Sequence, residues 1–450
     1  MKTLSFKKGP VLLPLLLLVI VLIVYTVLNF QTVSAADSLS VGQQYLNELN
    51  YGGAVAAFTR AIEIDPTNRE ARIGLAEAYA GTEQYDFAQQ VLEDLVYTDQ
   101  PDEEAIRTMA ELMQRTGRPA RAVPLVRTLI ETTDKDEYYA LLLELMEQIY
   151  SAPRSLAVGT DHTLVIRDGQ VLGRGSNALG QLGNEPTAMT NAASFVSTAF
   201  TGQPAKVICV GRTSFVVDTS GGLWAAGENR WGQSGHGYAV TSPQGGWQQI
   251  PMASPVADVA GTTGRLLVLL TDGSLWTAGA GGGQTLECVE RFPTVLMLDS
   301  NQEQAVILTV SGHLYRSYSQ SPDQWELVAS DVCDVTLSDT DLCWIGIDNS
   351  LNWIGYGCTL PNEWYADGYG TAQPDFTVRR FVAVGGRALL IDSTGQLYEL
   401  PGNGICREVT VNSPVAVLYA QGDTLVLEFE NGTAQVMSAG TAVFQPLSAY

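Results

Sequence analysis

Chemistry in this 450-residue chain would have to start from three histidines, six cysteines and a group of aspartates between positions 331 and 348. His162 precedes Thr163 in an apolar stretch, while His236 and His313 are isolated. No two of them stand at the i, i+4 spacing of a helix-borne zinc site. Cysteines 209, 288, 333, 343, 358 and 406 contain no C-x-x-C pair, which removes the zinc-ribbon and thioredoxin motifs. Cys333 and Cys343 flank one predicted hairpin, where a disulfide could form in an exported chain; the alternative is that the cysteines serve as small buried hydrophobes. Asp339-Thr340-Asp341, with Asp331, Asp334 and Asp348 nearby, offers the hard oxygens that calcium prefers. The twelve-residue loop with its central Gly and terminal Glu is missing, and the stretch reads as a solvated hairpin tip. There is no G-x-S-x-G elbow and no P-loop, and the Gly279–Gly283 run is followed by no helix that could complete an anion cradle. Nothing singles out a carboxylate pair for glycoside cleavage. These observations predict a chain that is not an enzyme and has no metal or cofactor.

The elements that position these residues are repetitive. A phrase of apolar strand, tight turn and second strand occurs seven times after residue 150, with turns at Asp168-Gly169, Gly221-Gly222, Asp272-Gly273, Ser311-Gly312, Asp348-Asn349, Thr394-Gly395 and Asn431-Gly432. Alternating apolar residues make a half-buried strand, and Asp-Gly or Asn-Gly supplies the positive φ that a two-residue hairpin needs. One hairpin cannot bury its own apolar face, so the units must stack or close. Radial closure gives a β-propeller. The first two copies continue as Gly175-Ser-Asn177-Ala-Leu-Gly180-Gln181-Leu-Gly183 and Gly227-Glu-Asn229-Arg-Trp-Gly232-Gln233-Ser-Gly235. This G-x-N-x-x-G-Q-x-G phrase resembles the regulator of chromosome condensation family, and the resemblance implies a seven-bladed propeller over residues 151–450. It also implies a structural, blade-bridging role for His162.

Residues 37–150 follow a different period. Ala54, Ala88 and Ala122 are 34 apart, as are Phe58, Leu92 and Val126, and Ala61, Leu95 and Leu129. Ala54-x3-Phe58 followed by Asp65-Pro66 resembles the tetratricopeptide repeat, a helix hairpin of about 34 residues. Such stacks present a concave face to a partner, or serve as a spacer.

Residues 1–36 carry Lys2, Lys7 and Lys8 before an apolar run from Val11 to Leu28, the lower bound of a membrane-spanning helix. The charge asymmetry predicts a cytoplasmic tip, a transmembrane helix and an extracytoplasmic bulk, in the cell membrane or envelope. The rival reading is a signal peptide cleaved near Ala35 or Ala36, with the remainder secreted. The expected fold class is therefore multidomain: an N-terminal transmembrane helix (1–36), an all-α tetratricopeptide-like solenoid (37–150) and an all-β seven-bladed propeller (151–450). The net charge is −23, and neither folded part has the basic footprint that nucleic acid requires.

Loop tips on a rigid scaffold are where binding residues gather, and exposed aromatics make good interface anchors. Trp231, Tyr238, Trp247, Trp325, Trp364, Tyr365 and Tyr369 fall in predicted loops, whereas Trp224 and Trp276 occupy repeat positions and belong to the core. The leading expectation is a membrane-anchored extracytoplasmic scaffold binding a protein partner, or second a glycan, through these loops. The alternatives are an exported polysaccharide-cleaving propeller and a secreted inhibitor of a hydrolase.

Overall fold

A computed structural model describes residues 34–98, 100–240, 245–280, 283–292, 294–355, 369–384, 387–401, 405–438 and 443–446. The chain divides into two compact units, residues 1–112 and 113–450.

The first unit is helical. α1 (Ala35–Asn47) begins with a reciprocal cap in which Ser34 and Asp37 exchange side-chain and backbone hydrogen bonds. α2 (Tyr51–Ile64) and α3 (Arg69–Gly81) are capped by Asn50 and Asn68, whose Oδ1 atoms accept the N–H groups of Gly53 and Ala71. α4 (Tyr85–Val96) follows, and α5 (Glu103–Arg115) starts at Asp102, which accepts from the Ala105 N–H. Ala54, Phe58, Ala61, Ala88 and Leu92 are all fully buried, so the 34-residue period marks the positions where paired helices meet.

In the second unit, α6 (Pro119–Thr133) and α7 (Asp136–Tyr150) precede seven four-stranded antiparallel sheets. Every sheet takes its four strands in sequence order. All seven turns read from the sequence join the second and third strands of a blade. At the first of them Asp168 and Gly169 both have positive φ (52° and 71°), as a type I′ turn requires.

Blade one (156–197) and blade seven (415–446) contain no exchanged strand, so side chains must close the ring. Tyr419 and Leu156 pack in one cluster with Val165, Val426 and Val436. The Leu156 N–H donates to Tyr419 Oη (3.1 Å), and Glu428 Oε1 accepts from Tyr419 Oη, Ser155 Oγ and the Ser155 N–H. Glu428→Ala strands three donors at this seam. The propeller should lose about 1.5–3 kcal/mol in denaturant titrations, and a change below about 0.5 kcal/mol would show that the apolar cluster closes the ring unaided.

The structure corrects the membrane expectation. Among the described residues no helix is long and apolar enough to cross a membrane, and the Val11–Leu28 run expected to do so lies outside the described residues. The membrane-anchored, single-pass, extracytoplasmic reading is accordingly withdrawn, as are membrane attachment and a cell-surface or envelope location, and the fold class stands as a helical solenoid followed by a seven-bladed propeller. Ser34, Ala35 and Ala36, read as a cleavage site, form the cap and first turn of α1. α6 and α7 group with the propeller strands in the second compact unit, which begins at residue 113. Arg121 of α6 donates to Asn349 Oδ1 (2.8 Å), Val378 O (3.3 Å) and Ile347 O (3.4 Å), and Tyr150 Oη donates to Val295 O (2.8 Å). Cys333 and Cys343 are both buried and form no disulfide. Strand register pairs Cys343 with Thr336, and a bulge between Val332 and Asp334 takes Cys333 out of the ladder. Cys358 lies outside the described residues.

Candidate functional site

The motif residues explain how the loops between the third and fourth strands of blades one and two are held in place. In blade one, Asn177 Oδ1 accepts the Leu182 N–H (2.8 Å), and its amide donates to Asn184 O and Met189 O. In blade two, Asn229 Oδ1 accepts the Ser234 N–H (3.0 Å), and its amide donates to Tyr238 O (2.8 Å). Gln181 and Gln233 each accept a backbone N–H two residues upstream. Each asparagine therefore staples the loop between the third and fourth strands by satisfying backbone groups that no ladder reaches. Gly183 (φ 71°) carries Trp247 directly above it, and a Cβ there would lie 2.1 Å from Trp247 Nε1. Gly227 (φ 108°) passes over Arg212 O, where a Cβ would approach to 2.4 Å. The blade-two loop is also tied to blade three: Gly237 N–H donates to Gln284 O and Ala239 N–H to Gln284 Oε1.

Two of the seven aromatic candidates sit on this stapled loop and are open to solvent, Trp231 at 56% and Tyr238 at 46%. Tyr369 is also exposed, but it opens a strand (Tyr369–Ala372), leans on Trp344 and donates to Asn352 Oδ1 (2.9 Å). Trp247 is half-buried, donates to Thr198 O (2.9 Å) and meets Phe200 edge-on. Trp325, expected in a loop, is buried within the strand Ser321–Ala329, between Phe292 and the Arg265 guanidinium. Trp364 and Tyr365 lie outside the described residues. Trp224 and Trp276 pack partly buried against the blade cores.

The histidines resolve differently. His162 Nε2 lies 2.7 Å from Ser214 Oγ in the next blade and 3.3 Å from Cys209 Sγ. Asp161 Oδ1 stands 3.5 Å from Nδ1, within ion-pair reach but outside hydrogen-bond geometry. The grouping has the outline of a nucleophile, base and orienting acid, but its hydrogen bonds run the wrong way. Ser214 Oγ donates to Gln181 O (2.6 Å) and so must accept from His162 Nε2–H. The imidazole is therefore a buried donor, not a base. Burial alone would push its pKa down, yet the Cys209 sulfur and the Asp161 carboxylate raise it to about 9. Asp161 is held below the usual carboxylate range, chiefly by its contact with His162. His236 contacts Ser234 Oγ (2.8 Å), and burial lowers its pKa. His313 contacts Ser311 Oγ (3.0 Å).

The Asp339–Asp341 turn is not a solvated tip. Asp341 is buried at the start of a strand, and the Asp339 N–H donates to Gly422 O (3.2 Å), joining turns of blades five and seven. Among the described residues no three His, Cys, Asp or Glu side chains converge as a metal ion needs, and none assembles a catalytic constellation.

The tetratricopeptide repeat profile matches residues 46–108. No curated protein matches the chain. Among solved structures, human WBSCR16 is similar with a TM-score of 0.52 at 15% identity, covering 62% of this chain and 88% of that one. Prp20p from Saccharomyces cerevisiae gives 0.52 at 14%, covering 67% and 89%. The structure of Kap60 bound to yeast RCC1 (Prp20) gives 0.52 at 14%, covering 66% and 81%. At these identities the likeness is one of fold: a tetratricopeptide-like helical region precedes a seven-bladed propeller that resembles RCC1.

Proposed function

We propose that this chain is a non-enzymatic scaffold that binds a partner protein through the stapled loop face of its propeller, with the helical repeats as a second docking surface. The observation that carries the reading is the exposure of Trp231 and Tyr238 on a loop whose backbone is fixed by Asn229 and by blade three. Large aromatics held in place before binding lose little entropy on association and make effective anchors. The G-x-N-x-x-G-Q-x-G phrases, with the shared fold, support kinship to the regulator of chromosome condensation family. Prp20p has binding properties toward Gsp1p and histones; for this chain the supported partner class is a protein. The net charge of −23 favours a partner with a basic surface.

The test is a photo-crosslinking amino acid placed at position 230, beside the anchors, followed by quantification of the captured partner. The double substitution Trp231→Ala and Tyr238→Ala should weaken that partner's binding by at least tenfold and leave the melting temperature within about 2 °C. Equal binding by the double variant would remove this face from the reading.

A further inference from the structure

A cavity of about 430 Å³ lies within the second unit, walled by the first strands of blades two to seven and closed at one end by the start of α6 and the segment after α7. Its charge runs against that of the chain. Six cationic side chains line it beside three carboxylates, in a protein of net charge −23. The carboxylates are already engaged. Asp258 faces Arg154 (3.6 Å), Asp334 pairs with Arg380, and Asp299 accepts the N–H groups of Ser300 (2.8 Å) and Leu337 (2.9 Å).

Among the described residues, three of the cations are neutralised by no carboxylate in ion-pair reach. Lys206 Nζ has only Ala257 O (2.7 Å), Arg379 donates to Val415 O and Ala416 O, and Arg121 holds two carbonyls and an amide oxygen. Lys206 and Arg121 are each 6% exposed, and Arg121 Nε has no acceptor. A buried charge without a counter-charge is costly, and here two such charges, Lys206 and Arg121, share one cavity with the half-buried Arg379. Burial already pushes the Lys206 pKa down. Asp334 Oδ2, also buried, lacks a donor.

We infer that the capped channel is a binding site for a small multivalent anion, a carboxylate or phosphate carrying at least one hydroxyl. The anionic oxygens take the charge of Lys206, Arg121 and Arg379, and the hydroxyl donates to Asp334 Oδ2.

The experiment is isothermal titration of the full chain with citrate, tricarballylate (the same acid without its hydroxyl) and inorganic phosphate, at constant ionic strength set by sodium chloride. The expected result is saturable one-site binding of citrate or phosphate, with citrate tighter than tricarballylate. Lys206→Met and Arg379→Gln should each weaken it at least tenfold. Arg379 is only half-buried, so its variant tests the site even where the lysine variant fails to fold. Saturation by citrate alone assigns the site to carboxylates, and by phosphate alone to phosphates. Absence of saturable heat with both anions, or undiminished binding in Arg379→Gln, overturns the inference. Tricarballylate binding as tightly as citrate removes the role given to Asp334.

Discussion

Phe58→Ala should cost the helical unit about 3–5 kcal/mol, the range for emptying a fully buried aromatic site. The ring is 0% exposed and lies between α1 and α3 at two glycines. A Cβ at Gly42 would stand 2.6 Å from it, and one at Gly74 only 2.4 Å. The neighbouring helices approach this closely because those positions have no side chain, so the two glycines themselves offer nothing to fill the void. The same geometry makes Gly74→Ala destabilising in the opposite sense, by overpacking, at about 1–3 kcal/mol. Far-UV circular dichroism reads helical unfolding, and all eight tryptophans lie beyond residue 150, so their fluorescence reports the propeller separately. A loss below about 1 kcal/mol in Phe58→Ala would mean that the unit collapses around the gap and that the repeat is held elsewhere.

The residues involved show what the sequence could and could not convey. Phe58 and Ala54 were legible because a helix hairpin repeats every 34 residues and the same positions meet the partner helix each time. The seven second-to-third-strand turns were legible for a similar reason, since each demands Gly or Asn in positive φ. The start of the propeller unit was not legible. Helix periodicity shows that α6 and α7 have an apolar face without saying whether another helix or a blade covers it, and the deciding contacts are polar and distant, as between Arg121 and Asn349. The channel was equally hidden. Lys206, Asp334 and Arg380 stand in strands, where a charge reads as the solvent side; only ring closure turns them toward one enclosed space. Trp325 was misplaced because the third and fourth strands of blade four are joined by a hairpin at Tyr318–Ser321, whereas blades one and two carry long loops there.

His162 should make the propeller lose stability as the pH rises from neutral to alkaline. Its pKa in the folded protein is about 9, against 6.5 as the ordinary value. A group whose pKa is raised by folding stabilises the fold fully below the unfolded value and loses that contribution as the pH climbs through the folded one. The window therefore runs from about 6.5 to somewhat above 9, and the contribution at stake is on the order of 3 kcal/mol. The cause is structural. Ser214 gives its proton to Gln181 O and needs a donor from Nε2, while Nδ1 faces Asp161. Only the protonated ring serves both sides, and the Cys209 sulfur 3.3 Å away adds to the field that holds the proton. Urea titrations followed by tryptophan fluorescence between pH 6 and pH 10 should show the propeller midpoint falling across this window. His162→Gln, which keeps a donor for Ser214 but cannot titrate, should be less stable at pH 6.5 and nearly flat above it. Cys209→Ser should shift the fall to lower pH by removing the sulfur's share. A slope unchanged in His162→Gln would show that another group controls alkaline stability and that the imidazole is neutral in the fold.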